Sequence, residues 1–460
     1  MKFGGTSMGT AERIEVAARI CAEQKAQYPV VAVVSAMSKV TDLLLDTMRR
    51  AEAGDDHGIA ANLEALTSKH RQCCNDLLSG EARTAAMHGV EALIGDFRRI
   101  VHGMRMLGDR PLRSVDEAVA IGERLSALLM AEYLTVSGTP AKAVNGAEVI
   151  VTDSVFGNAT PLMEETRARA NQVLRPLLDQ GVLPVVTGFN GSTVDGRPTT
   201  LGRGGSDFSA SILAAALDAS ELWIWTDVNG IMSADPRSVP GARVLDEVTY
   251  NEAAELAYNG AKVLHPRTLA PLIDRKIPVW SKNSFALEAP GTKIVAETKT
   301  KPGPRAVTSM SNVALVSIEP ASSAISGTRI MARALEALAA ANAEVLTFSS
   351  SSYRQSFCFL VRNDELAITM STLEADLALE LTHHYLKPIE VDQNVGLLAI
   401  VGEGMRGTPG LAGRLFSAIS RQDVNIIAIA QGSSEITISI VVRRDGLERA
   451  IRAVHEECTG

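Results

Sequence analysis

A lysine followed by two glycines and two hydroxyl residues, Lys2-Phe3-Gly4-Gly5-Thr6-Ser7, stands where a first short strand should turn into a helix beginning near Ala11. Paired glycines let backbone N–H groups close on an anion without Cβ hindrance, the helix N-terminus adds partial positive charge, and the lysine supplies a point charge. Such a loop is suited to a polyphosphate. A second one, Gly202-Arg203-Gly204-Gly205-Ser206-Asp207, precedes an alanine-rich helical stretch from Phe208 to Leu217, so two charged substrates are expected. Neither fits the usual P-loop: no GxxxxGK[ST] occurs, and the nearest approach, Gly191 to Gly196, is followed by Arg197 where lysine is needed.

The elements that must position these loops alternate up to about residue 295, which reads as an α/β fold. Val30–Val34, Val182–Thr187, Glu221–Thr226 and Lys276–Ser281 are short, β-rich runs expected to be buried strands. Their carboxyl ends carry Ser35, Gly188, Asp227 and Asn283, where open parallel sheets bind ligands. The polar stretch over about 51–115 is expected to be a helical insertion or lid beside the sheet. Lys299 to Pro304 breaks regular structure and makes the best domain boundary. Beyond it, strand Val313–Ile318, helix Arg329–Ala341 and strands Glu344–Phe348 and Ser356–Val361 recur as Leu397–Val401, Leu411–Gln422, Asn425–Ala430 and Ile436–Val442. A closing helix follows from Gly446 to Glu457. The repeat of roughly 80 residues predicts tandem βαββαβ domains over 305–388 and 389–460.

With 460 residues, two to four domains are expected at about 150 residues each. The net charge of −8 and dispersed basic residues leave no footprint for nucleic acid or an anionic membrane. Five cysteines without CxxC spacing favour reduced thiols, and no apolar run approaches the roughly 20 residues of a membrane helix, so a cytoplasmic enzyme is expected.

Five segments occurring in order, KFGGTS at 2–7, TTLGRGGSD at 199–207, WTDVNGI at 225–231, ADPR at 234–237 and GAKVLHPRT at 260–268, resemble the aspartate kinases. The first 298 residues are similar to the amino-acid kinase fold, a mainly parallel sheet sandwiched by helices, and the tail resembles two ACT domains. The resemblance implies transfer of the ATP γ-phosphoryl group to the side-chain carboxylate of L-aspartate. It implies that Lys2, Gly4 and Gly5 stabilise the phosphoryl group, in agreement with the dominance of positioning and charge neutralisation in this chemistry. It further implies that Arg203 forks onto the α-carboxylate, Glu123 takes the α-amino group, and Ser35, Thr41, Phe189 and Ser206 line the substrate pocket. Thr226, Asp227, Asp235, Arg237 and Lys262 match nucleotide-side positions. Asp207 has no proton to remove, because the attacking carboxylate is ionised at neutral pH; its expected task is to align a lysine such as Lys2 or to favour its helix N-terminus as a first-turn acid. Glu123 could alternatively be an exposed helix turn. Met232 stands where relatives carry tyrosine, removing a stacking surface and a hydroxyl beside the nucleotide.

His383 and His384 are adjacent and on a helix would point about 100° apart, a poor metal pair; Mg²⁺ is expected to arrive with ATP, held by phosphates and water, with no protein metal site. Gly402-Glu403-Gly404-Met405-Arg406-Gly407 satisfies GxGxxG, but about 50 residues remain, too few for the second half of a dinucleotide-binding sheet. It is expected instead to be the effector loop of the second ACT domain, with Gln431 as an effector contact for threonine or lysine. The corresponding first loop, Pro320 to Gly327, lacks the glycine-proline-glycine pattern, and Ser349 replaces glutamine, so weakened or unusual feedback inhibition is expected. The segments also resemble the kinase half of bifunctional aspartokinase–homoserine dehydrogenases, and a chain ending at Gly460 is expected to be a stand-alone kinase, a homodimer or homotetramer through its ACT domains. The brief Met1–Phe3 run is expected to be a truncated start or a shortened edge strand. The rival readings are a kinase of another acidic amino acid and a non-catalytic, amino-acid-sensing regulatory subunit.

Overall fold

The computed structural model describes residues 1–261, 263–321, 326–352, 355–405, 408–432 and 436–459. Contacts divide the chain into two compact units, Met1–Ile231 with Asp246–Tyr250 and Arg267–Thr298, and Met232–Leu245 with Asn251–Pro266 and Lys299–Gly460. Segments 232–245 and 251–266, on the catalytic side of a linear boundary, therefore pack with the C-terminal unit.

The first unit contains strands β1 (Lys2–Phe3), β2 (Ala32–Val34), β3 (Ala141–Val144), β4 (Val151–Thr152), β5 (Leu183–Thr187), β6 (Asn190–Thr193), β7 (Pro198–Thr200), β8 (Leu222–Thr226), β9 (Glu247–Thr249), β10 (Val279–Asn283) and β11 (Thr292–Val295). Eight of them form one sheet in the order β3-β5-β2-β1-β8-β10-β11-β9, and β4, β6 and β7 form a small second sheet. In the large sheet β10 and β11 run antiparallel and the other neighbours are parallel. Short as it is, β1 is not an edge strand: Lys2 pairs with Val33 and Ile224, and Phe3 with Val34 and Trp225. Its two neighbours satisfy the backbone on both sides, so two residues suffice to hold Lys2 in the middle of the sheet. The strand expected over Lys276–Ser281 instead spans Val279–Asn283. Lys276 takes a left-handed turn (φ 51°) and Pro278 cannot donate to a ladder, which moves the strand start past both.

Helices α1 (Ala11–Lys25), α2 (Val40–Ala53), α3 (Asp56–Leu77), α4 (Gly80–Leu107), α5 (Leu112–Val119), α6 (Ile121–Val136), α7 (Met163–Asp179) and α8 (Gly205–Ala216) also belong to this unit. The expected helical insertion is the α3–α4 pair. Val90, Ile94, Phe97, Val101 and Met104 recur every three or four residues along α4 and are buried, which fixes the inward stripe. Each large side chain so buried contributes about 1.5–3 kcal/mol. Asp55 caps α3 by accepting from Gly58 N–H at 2.9 Å.

Helix α9 (Tyr250–Tyr258) lies in the second unit from Asn251 onward and α10 (Pro266–Ile273) in the first from Arg267 onward, and the second unit continues with β12 (Ala306–Ile318), α11 (Gly327–Ala340), β13 (Thr347–Ser350), β14 (Phe357–Arg362), α12 (Leu366–Asp376), α13 (Ala378–Thr382), β15 (Glu390–Val401), α14 (Leu411–Arg421), β16 (Ile426–Gln431), β17 (Thr437–Arg443) and α15 (Leu447–Thr459). Its six strands make one sheet, β13-β14-β12-β15-β17-β16. The first repeat reads β12-α11-β13-β14-α12-β15 and uses only the first half of β15; the second uses the rest of β15 and takes its fourth strand from the start of β12. Ala306–Met310 pair with Leu397–Val401, whereas residues from Val313 onward pair with 390–395, after an irregularity between Met310 and Val313. The cores agree: Val307 packs with Leu398, Leu415 and Ile451, while Val316 packs with Ile330, Phe359 and Leu373. No described helix is long and apolar enough to cross a membrane.

Candidate active site

The parallel strands β1, β2, β5 and β8 end on the same side of the sheet, and the loops leaving them meet around one cavity of about 720 Å³. Lys2, Gly5, Ser35, Thr41, Glu123, Phe189, Arg203, Ser206, Asp207 and Asp227 all line it. Gly4 directly precedes Gly5, and its N–H donates to the Trp225 carbonyl at 3.3 Å, extending the β1–β8 pairing into the loop. A Cβ on Gly5 would stand 3.2 Å from the Ala36 carbonyl oxygen, tighter than an ordinary contact, so the two loops pack closely at this glycine. Ser7 is buried beneath them, sharing a hydrogen bond of 2.8 Å with Ser284, whose carbonyl and hydroxyl also receive Arg13. The phosphate-type loop is therefore tied to the ends of β8 and β10.

Lys2 is only 8% exposed, and its Nζ lies 2.6 Å from Asp207 Oδ1. Asp207 occupies the first turn of α8, so it faces the helix N-terminus as well as a lysine. Arg203 differs: it is exposed on its loop and has no hydrogen-bond or ion-pair partner among the described residues.

Glu123 is in the first turn of α6 but is 3% exposed, so the exposed-turn reading does not hold. Its Oε1 accepts from Ala36 N–H at 3.1 Å, while Oε2 is buried without a hydrogen-bond partner among the described residues. Burial pushes its carboxyl up to about 8, against the opposing effect of the Ala36 hydrogen bond. A buried carboxylate oxygen with no partner beside a polar cavity is the place for a cationic group. Phe189 adopts a left-handed conformation (φ 72°), rare for an aromatic residue, held by its N–H donating to Ser209 Oγ at 2.9 Å.

Thr226 ends β8 and its hydroxyl donates to Asp227 Oδ1 at 3.3 Å. Asp235 and Arg237 belong to the second unit, where Arg237 Nε and Asp235 Oδ1 are 3.0 Å apart. Lys262 lies outside the described residues. Gln431, at the end of β16, and Ser349, in β13, line one cavity of about 620 Å³ in the second unit. Residues 322–325 of the first expected effector loop, 406 and 407 of the second, and 433–435 after Gln431 also lie outside the described residues.

Sequence reasoning missed Lys39, which lines the cavity in a left-handed conformation (φ 66°) before α2. Its position beyond the carboxyl end of β2 was the available signal. The adjoining Ser38 carbonyl receives Lys69 Nζ from α3 at 2.6 Å, so the helical insertion supports this wall. Asp116 was also missed, since nothing in its surrounding sequence marks a buried carboxylate.

The chain is similar to known proteins in sequence and in fold. The chain matches the amino acid kinase family over residues 1–283 and an ACT domain over residues 398–458. It is 36% identical to the bifunctional aspartokinase/homoserine dehydrogenase 1 of Zea mays, with 99% of this chain and 50% of that protein covered, so it spans about half the length of this relative. Aspartokinase 3 of Arabidopsis thaliana is 31% identical over 99% of this chain and 80% of its own length. Among solved structures, E. coli aspartokinase III in complex with aspartate and ADP superposes with a TM-score of 0.83 at 30% identity, covering 100% of this chain and 99% of that one. From the glycine loops to the paired C-terminal repeats, sequence and fold agree, and the chain belongs to the amino acid kinase family, among its aspartokinases.

Proposed function

We propose that the protein transfers the γ-phosphoryl group of ATP to the side-chain carboxylate of L-aspartate, giving 4-phospho-L-aspartate, the first step towards lysine, threonine and methionine. The observation that carries this reading is the unpartnered, buried Glu123 Oε2 in the cavity that also holds the Arg203 guanidinium and Lys2. An amino acid with its ammonium at Glu123 and its α-carboxylate on Arg203 has both α-groups neutralised, and its side-chain carboxylate extends towards Lys2 and the loop amides. That carboxylate is the nucleophile. Lys2 and the amide of Gly5 neutralise charge on the phosphoryl group, Gly4 keeping its own N–H on the Trp225 carbonyl and serving only to bring the loop close, while Asp207 holds Lys2 in place. Thr226 and Asp227 serve the nucleotide, and Ser35, Thr41, Phe189 and Ser206 shape the amino-acid pocket.

Among the described residues no group of three or more His, Cys, Asp or Glu side chains could hold a metal ion. Mg²⁺ is assigned to the nucleotide's phosphate oxygens and water, where it neutralises phosphate charge. The cavity lined by Gln431 and Ser349 is assigned to a lysine or threonine effector, and a homo-oligomer built through the ACT repeats completes the proposal. Cytoplasmic residence is assigned on the unpaired state of all five cysteines.

The test is ATP-dependent acyl-hydroxamate formation with L-aspartate, L-glutamate and N-acetylglutamate. Aspartate alone should turn over efficiently. Preference for either alternative, or no turnover of any, would remove the proposal in favour of another acidic substrate or a non-catalytic subunit. Lysine and threonine, added singly and together to the same assay, read the effector assignment.

A further inference from the structure

The loop that carries Arg203 is held by two charged side chains that do not line the cavity. Asp116, at 1% exposure on α5, accepts from the N–H groups of Gly157 (2.8 Å) and Thr200 (3.0 Å) and from the Thr200 hydroxyl (2.8 Å). Arg267, in α10, donates to Asn158 Oδ1 (2.6 Å), the Leu201 carbonyl (3.2 Å) and the Ala159 carbonyl (2.8 Å). The carboxylate takes N–H groups and the guanidinium takes carbonyls from the same two stretches, 157–159 and 200–201. A direct bond from Ala159 N–H to the Thr200 carbonyl at 2.8 Å joins them.

Gly202 follows at once in a left-handed conformation (φ 74°), so close to the hairpin that a Cβ would stand 2.4 Å from Asn158 Oδ1. Arg203 thus leaves from backbone fixed on both sides. Arg267 also reaches the loop's far end, with its guanidinium 4.8 Å from the ring centroid of Phe208 in α8. The first turn of that helix carries Ser206 and Asp207.

We propose that Asp116 and Arg267 are positioning residues, a staple of opposite charges that fixes 200–201 against 157–159 and thereby aims Arg203 at the substrate's α-carboxylate. The assignment rests on the reading of Arg203 given above. Charge-assisted hydrogen bonds to backbone are strong and directional, and a displacement of about 1 Å in a substrate-holding group weakens catalysis about a hundredfold. Lysine cannot replace Arg267, because one ammonium does not span three acceptors in the fork geometry.

The experiment measures steady-state kinetics of Arg267→Lys and Asn158→Ala, each alone and combined with Arg203→Ala. Asn158 is exposed, so its replacement removes one contact of the staple without opening the core. Arg267→Lys should raise the KM for aspartate about tenfold and Asn158→Ala about threefold, with the KM for ATP within about twofold; in the Arg203→Ala background neither should add a further increase. If Arg267→Lys does not fold, the Asn158 cycle decides alone. An unchanged aspartate KM, or an equal increase with and without Arg203, overturns the staple while leaving the Arg203 clamp standing. A normal aspartate KM in Arg203→Ala by itself overturns the clamp and the staple with it.

Discussion

The two glycine loops carry cations in opposite circumstances. Lys2 is buried in the centre of the sheet and already paired with Asp207, whereas Arg203 is exposed and has no partner among the described residues. A lysine held by a carboxylate before any ligand arrives is preorganised for charge that develops during transfer. An exposed arginine between glycines is kept ready for a carboxylate that the substrate brings, and its aim has to come from the backbone beneath it. The difference separates the chemical step from substrate capture, and it can be broken residue by residue.

The largest effect should come from Lys2→Met. Loss of the lysine should lower kcat by about 10³ with the aspartate KM little changed. It should also lower stability by about 2 kcal/mol, because Asp207 is left without its cation in a partly buried site. Denaturant unfolding and initial rates on the same preparation check both. A variant with near-normal kcat would dissolve the distinction between the loops.

Arg203→Ala should do the reverse. Its aspartate KM should rise about a hundredfold, and its unfolding free energy should stay within about 0.5 kcal/mol of the parent, as for an exposed side chain away from structural contacts. A large loss of stability would show that the arginine is a structural group.

Glu123 sharpens the comparison through pH. Its carboxyl, pushed up to about 8 by burial, is mostly protonated at pH 7 in the free protein and must ionise to meet an ammonium group. Between pH 6 and 8 the aspartate KM should therefore fall by up to about tenfold per unit and then level, and Glu123→Gln should remove the slope while raising KM about tenfold. For stability the sign is opposite to that of a salt-bridged acid. The folded state binds the proton more tightly than the unfolded state, so the parent loses stability as pH rises from about 4.5 to about 8, and Glu123→Gln flattens that part of the curve. Denaturation midpoints across this range measure it.

The parts legible in sequence were those whose signals are local. Lysine, paired glycines and a following helix announce the first loop within a few residues, and the polar character of the stretch over about 51–115 announces the insertion. The central place of β1 was hidden because two residues carry no periodicity, and only Val33 and Ile224 beside Lys2 decide it. The exchange of half-strands between β12 and β15 was hidden because it joins Val307 to Leu398 and Val316 to Phe359, pairs far apart in the chain. Likewise, the burial of Glu123 depends on Ala36, and the roles of Asp116 and Arg267 depend on hairpins that meet only after folding.

A crystal structure with L-aspartate and a nucleotide tests the central claim most directly. The account predicts the α-carboxylate on Arg203, the ammonium at Glu123 Oε2, and the side-chain carboxylate turned towards Lys2 and the Gly5 amide. An aspartate bound in the reverse sense, with its side-chain carboxylate on Arg203 and its α-carboxylate towards Lys2, would contradict it.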